Sequence, residues 1–263
     1  MSIKVLISGS GSMGREVLTA VTHAEGMDAV GCVDALTTEE IIPVPGGDLI
    51  PFGRDTATMI GRLHPDVIVD FTNADWTPKM AEAALEAGVR MVIGTTGLPE
   101  SFVAHLETEC SKREVGALVA PNFALGALLM QHMVRLASRY YDNAEIIEMH
   151  HDGKVDAPSG TSIATARAMA EGREKPFITP ATQKATIKGT RGAQQDGVTI
   201  HSVRLPGLVA HQQVMFGAPG ETLTIRHDSM HRESYMPGVV LAIREVMGRK
   251  DLVRGLDRLI GLT

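Results

Sequence analysis

Two adjacent histidines, a lysine and the start of a predicted helix lie together in residues 148–161 of this 263-residue chain. Apolar and polar residues alternate through 144–149, which predicts a strand, and 161–171 is rich in helix formers without Pro or Gly. The loop between them therefore leads into a helix N-terminus, where unpaired N–H groups and the helix dipole attract an anion. The pattern predicts a pocket for a small carboxylate-bearing molecule, with a histidine or the lysine placed to transfer a proton. The alternative interpretation is a solvated loop with a serine cap and incidental histidines.

The composition excludes several classes of protein. A formal net charge of −6 gives no basic surface for nucleic acid or an anionic membrane. No uncharged apolar run of about 18 residues exists to span a bilayer, and no signal peptide is visible. Cys32 and Cys110 are isolated, so neither a zinc site nor a disulfide framework is predicted. We therefore expect a reducing, cytoplasmic setting.

The N-terminal segment has the order strand, glycine-rich loop, helix, strand, acid. Residues 3–8 are a nearly continuous apolar run, as in a strand buried on both faces, and a second strand is predicted over 27–33. The glycines allow a tight turn and the close approach of a pyrophosphate to the helix N-terminus, and the acid binds ribose hydroxyls. This order predicts a dinucleotide site rather than a structural glycine-rich turn. Its predicted members are Gly9, Ser10, Gly11, Ser12, Met13, Gly14 and Asp34.

Helices and strands continue to alternate up to residue 120. Helices are predicted over 56–64, 77–87 and 99–113, and strands over 66–72, 90–95 and 116–120. This alternation predicts a parallel sheet with right-handed crossovers, whose ligands bind beyond the carboxyl ends of the strands. Segments at those ends are expected to complete the cofactor site. The alternative for each segment, taken singly, is an ordinary turn whose residues are chosen for their backbone conformation. The residues assigned there are Gly94, Thr95, Thr96, Ala120, Pro121, Asn122 and Phe123.

The pattern changes in the second half of the chain. An amphipathic helix is predicted over 125–140, and the strands 198–205, 212–218 and 222–228 follow with only short turns between them, which predicts an antiparallel meander. Helices are expected again over 237–247 and 252–262. The predicted fold is α/β, with a Rossmann-type parallel-sheet domain and a second α+β domain with a mainly antiparallel sheet. The dinucleotide-binding domain is placed at 1–122, with the C-terminal helices of 236–263 packing back on it, and the substrate-binding domain at 123–235.

Residues 148–161 read E-x-HH-x-x-K-x-DAPSGT, which resembles, at every fixed position, the signature of the dihydrodipicolinate reductase (4-hydroxy-tetrahydrodipicolinate reductase) family. Shorter supporting matches extend along nearly the whole chain: DFT at 70–72, GTTG at 94–97, APNF at 120–123, RLPG at 204–207, and HDS at 227–229 with Arg232. This family reduces a cyclic unsaturated dicarboxylate on the route to diaminopimelate and lysine, with hydride from NADH or NADPH. The resemblance therefore implies an NAD(P)H-dependent reductase of a small dicarboxylate. It also implies a homotetramer assembled through the sheet of the second domain.

The resemblance implies roles for individual residues as well. His150 matches the family's proton donor/acceptor, and Lys154 matches its proton donor. His151, Gly160 and Thr161 match positions that hold the substrate carboxylates. For His151 a steric or structural role is the alternative, because adjacent side chains on an extended chain point in opposite directions.

Two departures from the family pattern concern the cofactor and a loop. Many members carry an Arg where this chain has Ser12, and Asp34 is followed by Ala35 rather than by a basic residue. A carboxylate at Asp34 accepts ribose hydroxyls and repels a 2′-phosphate, so NADH is expected to be preferred over NADPH. In addition, Val-Ala-His-Gln at 209–212 replaces the Val-Gly-Glu-His that the family often shows near a mobile loop. This second departure opens three alternatives: altered loop closure, slower catalysis or a different substrate.

Other functions stay open at the level of sequence. A related dehydrogenase acting on another small carboxylate would share the nucleotide motif but has no need for the 148–161 loop. A non-catalytic nucleotide-sensing protein would be expected to lose His150 or Lys154, and both are present. His227 and His231, four residues apart, would share one face of a helix, but no third ligand accompanies them, so no metal site is predicted.

Overall fold

The computed structural model describes residues 2–262. It divides into two compact units, Met1–Ala124 with Tyr235–Thr263, and Leu125–Ser234. The second unit is thus an insertion in the first, since the chain leaves the first unit after residue 124 and returns to it at 235. These limits lie close to the boundaries expected after residues 122 and 235.

Within the described residues, the strands of the first unit are β1 Ile3–Ser8, β2 Met27–Val33, β3 Ile41–Pro43, β4 Leu49–Gly53, β5 Val67–Asp70, β6 Arg90–Ile93, β7 Ala117–Val119 and β13 Leu252–Arg254. They form one sheet in the order β13-β7-β6-β5-β1-β2-β4-β3. Every neighbouring pair is parallel except β3 with β4. The order reverses at β1, which pairs with β2 on one side and β5 on the other. In open parallel sheets the ligand crevice lies at such a reversal, beyond the carboxyl ends of the strands.

The helices of the first unit are α1 Ser12–His23, α2 Thr56–Leu63, α3 Thr77–Ala87, α4 Glu100–Arg113, α7 Met236–Val246 and α8 Leu256–Leu259. Local sequence explains several of their boundaries. Asp55 caps α2, because its side chain accepts a hydrogen bond from the Thr58 N–H at 2.8 Å. Pro78 stands in the first turn of α3, where no N–H donor is needed, and Gly88 ends that helix with a φ of 69°. The predictions for α2 and α3 are confirmed to within one residue.

The central strands share runs of buried apolar residues, 5–7 in β1, 67–69 in β5 and 91–93 in β6, as expected of a parallel sheet that is covered on both faces. Leu6, Ile68 and Met91 are fully buried in its core. The helix predicted over 252–262 is wrong in its first part, since 252–254 form β13, parallel to β7. A three-residue strand is too short for periodicity to identify. The short strands β3 and β4 were not predicted either.

The second unit contains β8 Asn143–His150, β9 Ala193–Gln195, β10 Val198–Arg204, β11 Ala210–Ala218 and β12 Glu221–Ser229, together with α5 Leu125–Ala137 and α6 Gly160–Glu171. The sheet order is β12-β11-β8-β10-β9. Only β8 and β10 are parallel, so the mainly antiparallel sheet is confirmed. The predicted meander is confirmed for β11 and β12, which pair antiparallel, and is wrong for β10 and β11, because β8 lies between them. A strand far earlier in the chain can take that place without leaving a signal in local periodicity.

The core of the second unit lies between one face of its sheet and the helices α5 and α6. The buried residues that meet there include Met130, Val134, Ile146, Met169, Val214 and Phe216. Residues 210–212 belong to β11, which is paired on both sides, so this departure from the family pattern lies in a strand rather than in a loop. No helix among residues 2–262 combines the length and the apolar composition that a membrane crossing requires.

Candidate active site

The loop after β1 turns directly into α1, and glycine is required at two of its positions. Gly9 has a φ of 99°, and a Cβ there would lie 2.9 Å from Thr72 Cγ2. A Cβ on Gly14 would lie 1.9 Å from the carbonyl oxygen of Gly9, so only glycine lets α1 approach the loop. By contrast, a Cβ on Gly11 would meet nothing within 4 Å, and no side chain of residues 2–262 caps α1. Open space in front of an uncapped helix N-terminus fits the pyrophosphate of a dinucleotide.

Asp34 directly follows β2 and is tied to this glycine-rich loop. Its Oδ2 accepts hydrogen bonds from the backbone N–H and the hydroxyl of Ser10, at 2.9 Å and 2.7 Å, and its Oδ1 accepts from the N–H of Leu36 at 3.0 Å. Partial burial raises the pKa of Asp34, but these hydrogen bonds outweigh it and hold the pKa below its usual value. An ionised carboxylate therefore stands beside the loop, as ribose recognition requires.

Two arginines near the loop were missed by sequence reasoning. Arg15 Nε donates to the carbonyl oxygen of Ser10 at 3.1 Å. Arg54 Nε donates to the carbonyl oxygen of Thr37, in the turn that follows Asp34. Arg54 comes close only because β2 pairs with β4, which no motif signalled. It places a cation on the rim of the predicted ribose site.

The other predicted cofactor residues lie at the same carboxyl edge of the sheet, after β6 and β7. The ring of Phe71 joins the two segments, since a Cβ on Gly94 would lie 2.1 Å from Phe71 Cε1 and the Phe71 and Phe123 ring centroids are 5.2 Å apart. The accessible or half-buried members of the predicted set are Ser10, Gly11, Ser12, Met13, Asp34, Gly94, Thr96, Pro121 and Asn122. The buried members are Gly9, Gly14, Thr95, Ala120 and Phe123. Because Ala120 and Phe123 are buried, we expect them to pack beneath the loops at this edge of the sheet rather than to contact the nucleotide.

A fully buried carboxylate, that of Asp70 at the end of β5, lies under these loops. It accepts hydrogen bonds from four hydroxyls: Ser8 at 2.7 Å, Thr72 at 2.8 Å, Thr77 at 2.6 Å and Thr95 at 2.8 Å. These five residues are called the Asp70 cluster below. The cluster joins the end of β1, the end of β5, the start of α3 and the segment after β6, so the loops at the carboxyl edge are fixed to one another.

In the second unit, Glu148 and His150 point to the same side of β8 because they are two residues apart. Glu148 is fully buried. Arg204, on the neighbouring β10, binds both of its oxygens, with Nη2 2.8 Å from Oε1 and Nη1 3.0 Å from Oε2. His150 Nδ1 lies 2.5 Å from Glu148 Oε2. Glu148, His150 and Arg204 are called the Glu148 triad below.

The triad sets the charge of both titratable members. Burial raises the pKa of Glu148, but hydrogen bonds from Arg204, Ser202 and His150 outweigh it, so the pKa is lowered and the carboxylate is ionised. The pKa of His150 is lowered, chiefly by burial, and the charges of Lys154 and Arg204 act in the same direction while Glu148 opposes them. The imidazole is therefore neutral at pH 7. Since a carboxylate can only accept, the His150 proton is on Nδ1 and the lone pair is on Nε2.

The loop after β8 brings a second charged group and a helix terminus to the triad. Lys154 Nζ lies 2.6 Å from Asp156 Oδ1, and Arg204 Nη2 donates to the backbone oxygen of Asp156 at 2.6 Å. Ser159 caps α6 by accepting from the Ser162 N–H at 3.2 Å, so the helix starts at Gly160. Lys154 lowers the pKa of Asp156, and the Gly160 N–H adds to this. The Asp156 carboxylate thus stands between an ammonium and a helix N-terminus, an environment suited to any carboxylate.

The remaining predicted residues of this unit differ in accessibility. Gly160 is exposed and Thr161 is half-buried, both in the first turn of α6. His151 is exposed, and its ring lies over Gly153, where a Cβ would come 3.3 Å from His151 Nδ1. The structure therefore separates the two adjacent histidines, with His150 turned to Glu148 and His151 turned to solvent.

A buried polar network fixes the start of α6 to the sheet. Gln212 of β11 accepts from the Ser162 hydroxyl at 2.6 Å and donates to the Thr165 hydroxyl at 2.8 Å. The glutamine found here in place of the family's histidine is therefore a support for α6. His227 belongs to β12 and His231 follows that strand, so the two do not share a helix face as the metal alternative required. Among residues 2–262, no three His, Cys, Asp or Glu side chains are grouped to hold a metal ion.

Family models, relatives and a solved structure match nearly the whole chain. Residues 3–123 match the family model described as dihydrodipicolinate reductase, N-terminus, and residues 126–260 match the one described as its C-terminus. The 4-hydroxy-tetrahydrodipicolinate reductase of Dehalococcoides mccartyi is 46% identical over 262 residues, which cover 99% of each chain. The enzyme of the same name from Moorella thermoacetica is 46% identical over 98% of each chain. A solved structure, dipicolinate-bound dihydrodipicolinate reductase from Paenisporosarcina sp. TG-14, superposes with a TM-score of 0.88 at 40% identity and covers 98% of this chain and 99% of that one.

The chain belongs to the dihydrodipicolinate reductase family.

Family membership confirms the resemblance carried by residues 148–161 and the predicted fold class. It makes the chain an oxidoreductase whose first unit is a Rossmann domain for a pyridine nucleotide. The glycine-rich loop, the uncapped α1 and the ionised Asp34 all fit such a cofactor. Three functional candidates were missed by sequence reasoning. Glu148, Arg204 and Asp70 had been noted only as parts of sequence motifs, because their partners are 56 and 62 residues away in the chain.

Proposed function

We propose that this chain reduces 4-hydroxy-tetrahydrodipicolinate to tetrahydrodipicolinate in the diaminopimelate route to lysine, with a hydride from the pyridine nucleotide, a proton from the site and loss of the 4-hydroxyl group as water. The observation that carries the proposal is the Glu148 triad beside Lys154 and the N-terminus of α6. One short segment supplies a group for proton transfer and two binding partners for carboxylates. A dicarboxylate whose ring must be protonated after hydride addition needs this combination.

His150 is the proton-transfer group of the proposed reaction. Glu148 accepts from Nδ1 at 2.5 Å, which fixes the tautomer and leaves Nε2 to take or give a proton. A bound dianion would raise the pKa of His150, because a nearby negative charge favours the imidazolium. Substrate binding would therefore turn His150 from a neutral ring into an acid. Arg204 keeps Glu148 ionised and in place through two hydrogen bonds.

Lys154 and the first turn of α6 are the carboxylate partners. Lys154 Nζ already binds one carboxylate, that of Asp156, at 2.6 Å. The backbone N–H groups of Gly160 and Thr161 lie at the open end of α6, where the helix dipole favours an anion. An incoming substrate carboxylate would displace Asp156 and leave Lys154 free to donate its proton. His151, exposed over Gly153, would contact a second carboxylate.

The pyridine nucleotide supplies the hydride. We propose that NADH is preferred over NADPH, because the ionised Asp34 repels a 2′-phosphate and neither Ser12 nor Ala35 offers a cation. Two like charges at 4 Å repel by about 1 kcal/mol in water, which is about fivefold in affinity, and by more in a cleft. We therefore expect a preference of about one to two orders of magnitude in kcat/KM. Arg54, beside the turn after Asp34, limits this preference by offsetting part of the repulsion.

A homotetramer is proposed through the sheet of the second unit. The face of this sheet that α5 and α6 do not cover carries Ile147, Met149 and Met215, which are only half-buried. Partly exposed apolar residues on a sheet face are suited to burial against a second copy. Light scattering should give four times the chain mass of 28.1 kDa. An Ile147→Lys variant should reduce that mass, whereas a tetramer unaffected by this change would place the interface elsewhere.

The reaction is tested by coupling the purified protein to dihydrodipicolinate synthase and following nicotinamide absorbance. NADH should be consumed only when the synthase and both of its substrates are present. Homoserine and aspartate-type substrates, offered without the synthase, distinguish a related dehydrogenase. Absence of turnover by folded protein, with the synthase step verified separately, would refute the assignment.

A further inference from the structure

The Asp70 cluster holds a buried negative charge that the proposed reaction does not use. The Asp70 side chain is 0% exposed, and none of the ion pairs within residues 2–262 includes it. Four hydroxyls fill the four acceptor positions of an ionised carboxylate. The Thr77 hydroxyl is also 2.9 Å from the carbonyl oxygen of Asn73, but its contact with Asp70, at 2.6 Å, is the shorter. Neutral donors stabilise this anion without cancelling its charge.

The position of Asp70 in the sheet places it near the predicted binding region of the nicotinamide half of the nucleotide. Asp34 follows β2 and marks the adenosine ribose, and the glycine-rich loop after β1 marks the pyrophosphate. With the ribose and pyrophosphate bound there, the nicotinamide half would lie on the opposite side of β1, toward the ends of β5 and β6. Asp70 ends β5, and Thr95, which donates to it, follows β6.

We propose that Asp70 supplies a fixed negative charge to the nicotinamide end of the site, which stabilises the oxidised nucleotide relative to the reduced one. This inference rests on the proposed hydride transfer. A dihydronicotinamide ring is neutral and becomes positive when its hydride leaves, so a nearby anion lowers the free energy of the product side and of the charge developing on the way. Because Asp70 lies in a low-dielectric interior, its field is less screened than that of a surface carboxylate.

Asp70 acts through this field and through the loops it fixes. Because its side chain is 0% exposed, it would touch neither substrate nor nucleotide, so it is a positioning residue. Its charge and its hydrogen bonds are separable. Asp70→Asn removes the charge but keeps the volume, and the hydroxyls that face the amide can rotate to accept. Thr77→Ala removes one hydrogen bond and keeps the charge. Asp66→Asn makes the same charge change at the other end of β5, about 13 Å away, where the carboxylate accepts from the Lys4 N–H at 2.8 Å.

The test measures dissociation constants for NAD+ and for NADH, without substrate, in the full-length protein. Binding is followed by the fluorescence of Trp76, the lone tryptophan of the chain. Its indole N–H donates to the Ser8 hydroxyl at 2.9 Å, so Trp76 lies beside the Asp70 cluster. In Asp70→Asn the ratio of Kd for NAD+ to Kd for NADH should rise about three- to tenfold. In Asp66→Asn and Thr77→Ala the ratio should equal that of the unmodified protein. A slower hydride-transfer step in Asp70→Asn, seen in single-turnover kinetics, should accompany the change in ratio.

An unchanged ratio in folded Asp70→Asn overturns the inference, and so does an equal rise in the Asp66→Asn control. If circular dichroism shows that Asp70→Asn does not fold, Asp70→Ser, which is neutral and adds a hydroxyl to the cluster, is judged by the same ratio. Failure of both variants to fold would assign Asp70 to structure alone and would also count against the inference. The proposed reaction is tested separately, since it fails only if the unmodified protein does not turn over its substrate with either nucleotide.

Discussion

Within residues 2–262, each unit buries one side-chain carboxylate completely, and the two are stabilised in different ways. Asp70 is surrounded by hydroxyls, which leave its negative charge intact. Glu148 is bound on both oxygens by the Arg204 guanidinium and is hydrogen-bonded to His150. A charge that is not neutralised acts on its surroundings through its field, whereas a neutralised one acts through direct contacts. We therefore expect changes at Asp70 to alter nucleotide binding, and changes at Glu148 to alter stability and proton transfer.

The largest effect is expected where the Glu148 triad meets the chemistry. His150→Gln should lower kcat by about 10²- to 10⁴-fold and change KM much less, because a proton-transfer group acts in the transition state. Lys154→Ala should lower kcat and also raise KM, since it removes a carboxylate partner as well as a proton donor. Steady-state kinetics in the coupled assay measure both. His105→Gln, an exposed histidine of α4, is the matched control and should leave both constants unchanged. A near-normal kcat in His150→Gln would move the proton-transfer role to another residue.

A second prediction tests whether Glu148 is neutralised by Arg204. Glu148→Gln should lower the free energy of unfolding by about 3–5 kcal/mol, because it leaves the charge of Arg204 partly buried and unpaired. Asp70→Asn should cost only about 1–3 kcal/mol, since hydroxyls can turn to suit an amide. Urea unfolding followed by circular dichroism gives both values. Adding Arg204→Met to Glu148→Gln should restore part of the loss. Equal losses at the two sites, or no rescue, would show that the two carboxylates do not differ in the way proposed.

Cofactor choice provides a smaller effect, confined to the first unit. The unmodified protein should favour NADH by about one to two orders of magnitude in kcat/KM, and Asp34→Ser with Ala35→Arg should shift the preference toward NADPH by replacing repulsion with a phosphate partner. Arg54→Met should lower kcat/KM for NADPH alone, because it removes the cation beside the Asp34 turn. The three proteins are compared in the coupled assay with each nucleotide. An NADPH preference in the unmodified protein would mean that Asp34 does not face the 2′ position.

The smallest effect is expected at Asp156, which binds Lys154 where the substrate is expected to bind. Asp156→Asn should lower the substrate KM by about two- to fivefold, because exposed ion pairs contribute at most about 1 kcal/mol and their loss frees the ammonium. Asp152→Asn, an exposed carboxylate of the same loop, controls for the change in net charge. A raised KM in Asp156→Asn would instead give Asp156 a role in holding Lys154 in place.

Local sequence predicted the elements that have strong local signals and failed where pairing is long-range. α3 and β2 agree with their predicted limits because a proline start, a glycine stop and an apolar run mark them. The position of β8 between β10 and β11 has no local signal, and neither does the short β13. In the site, the 148–161 motif supplied His150 and Lys154 by resemblance. Arg204, which fixes the triad, and the hydroxyls that surround Asp70 are brought in by tertiary structure alone.

The insertion of the second unit into the first also bears on the order in which the chain can fold during synthesis. β13, at residues 252–254, covers the open edge of β7, and α7 belongs to the same unit. Until those residues leave the ribosome, β7 exposes an unpaired edge, which in other proteins invites pairing between chains. Residues 125–234 form a compact unit that is synthesised earlier. The middle of the chain can therefore become structured while the nascent nucleotide-binding unit still awaits its last strand, and that interval is when a chaperone would be most useful.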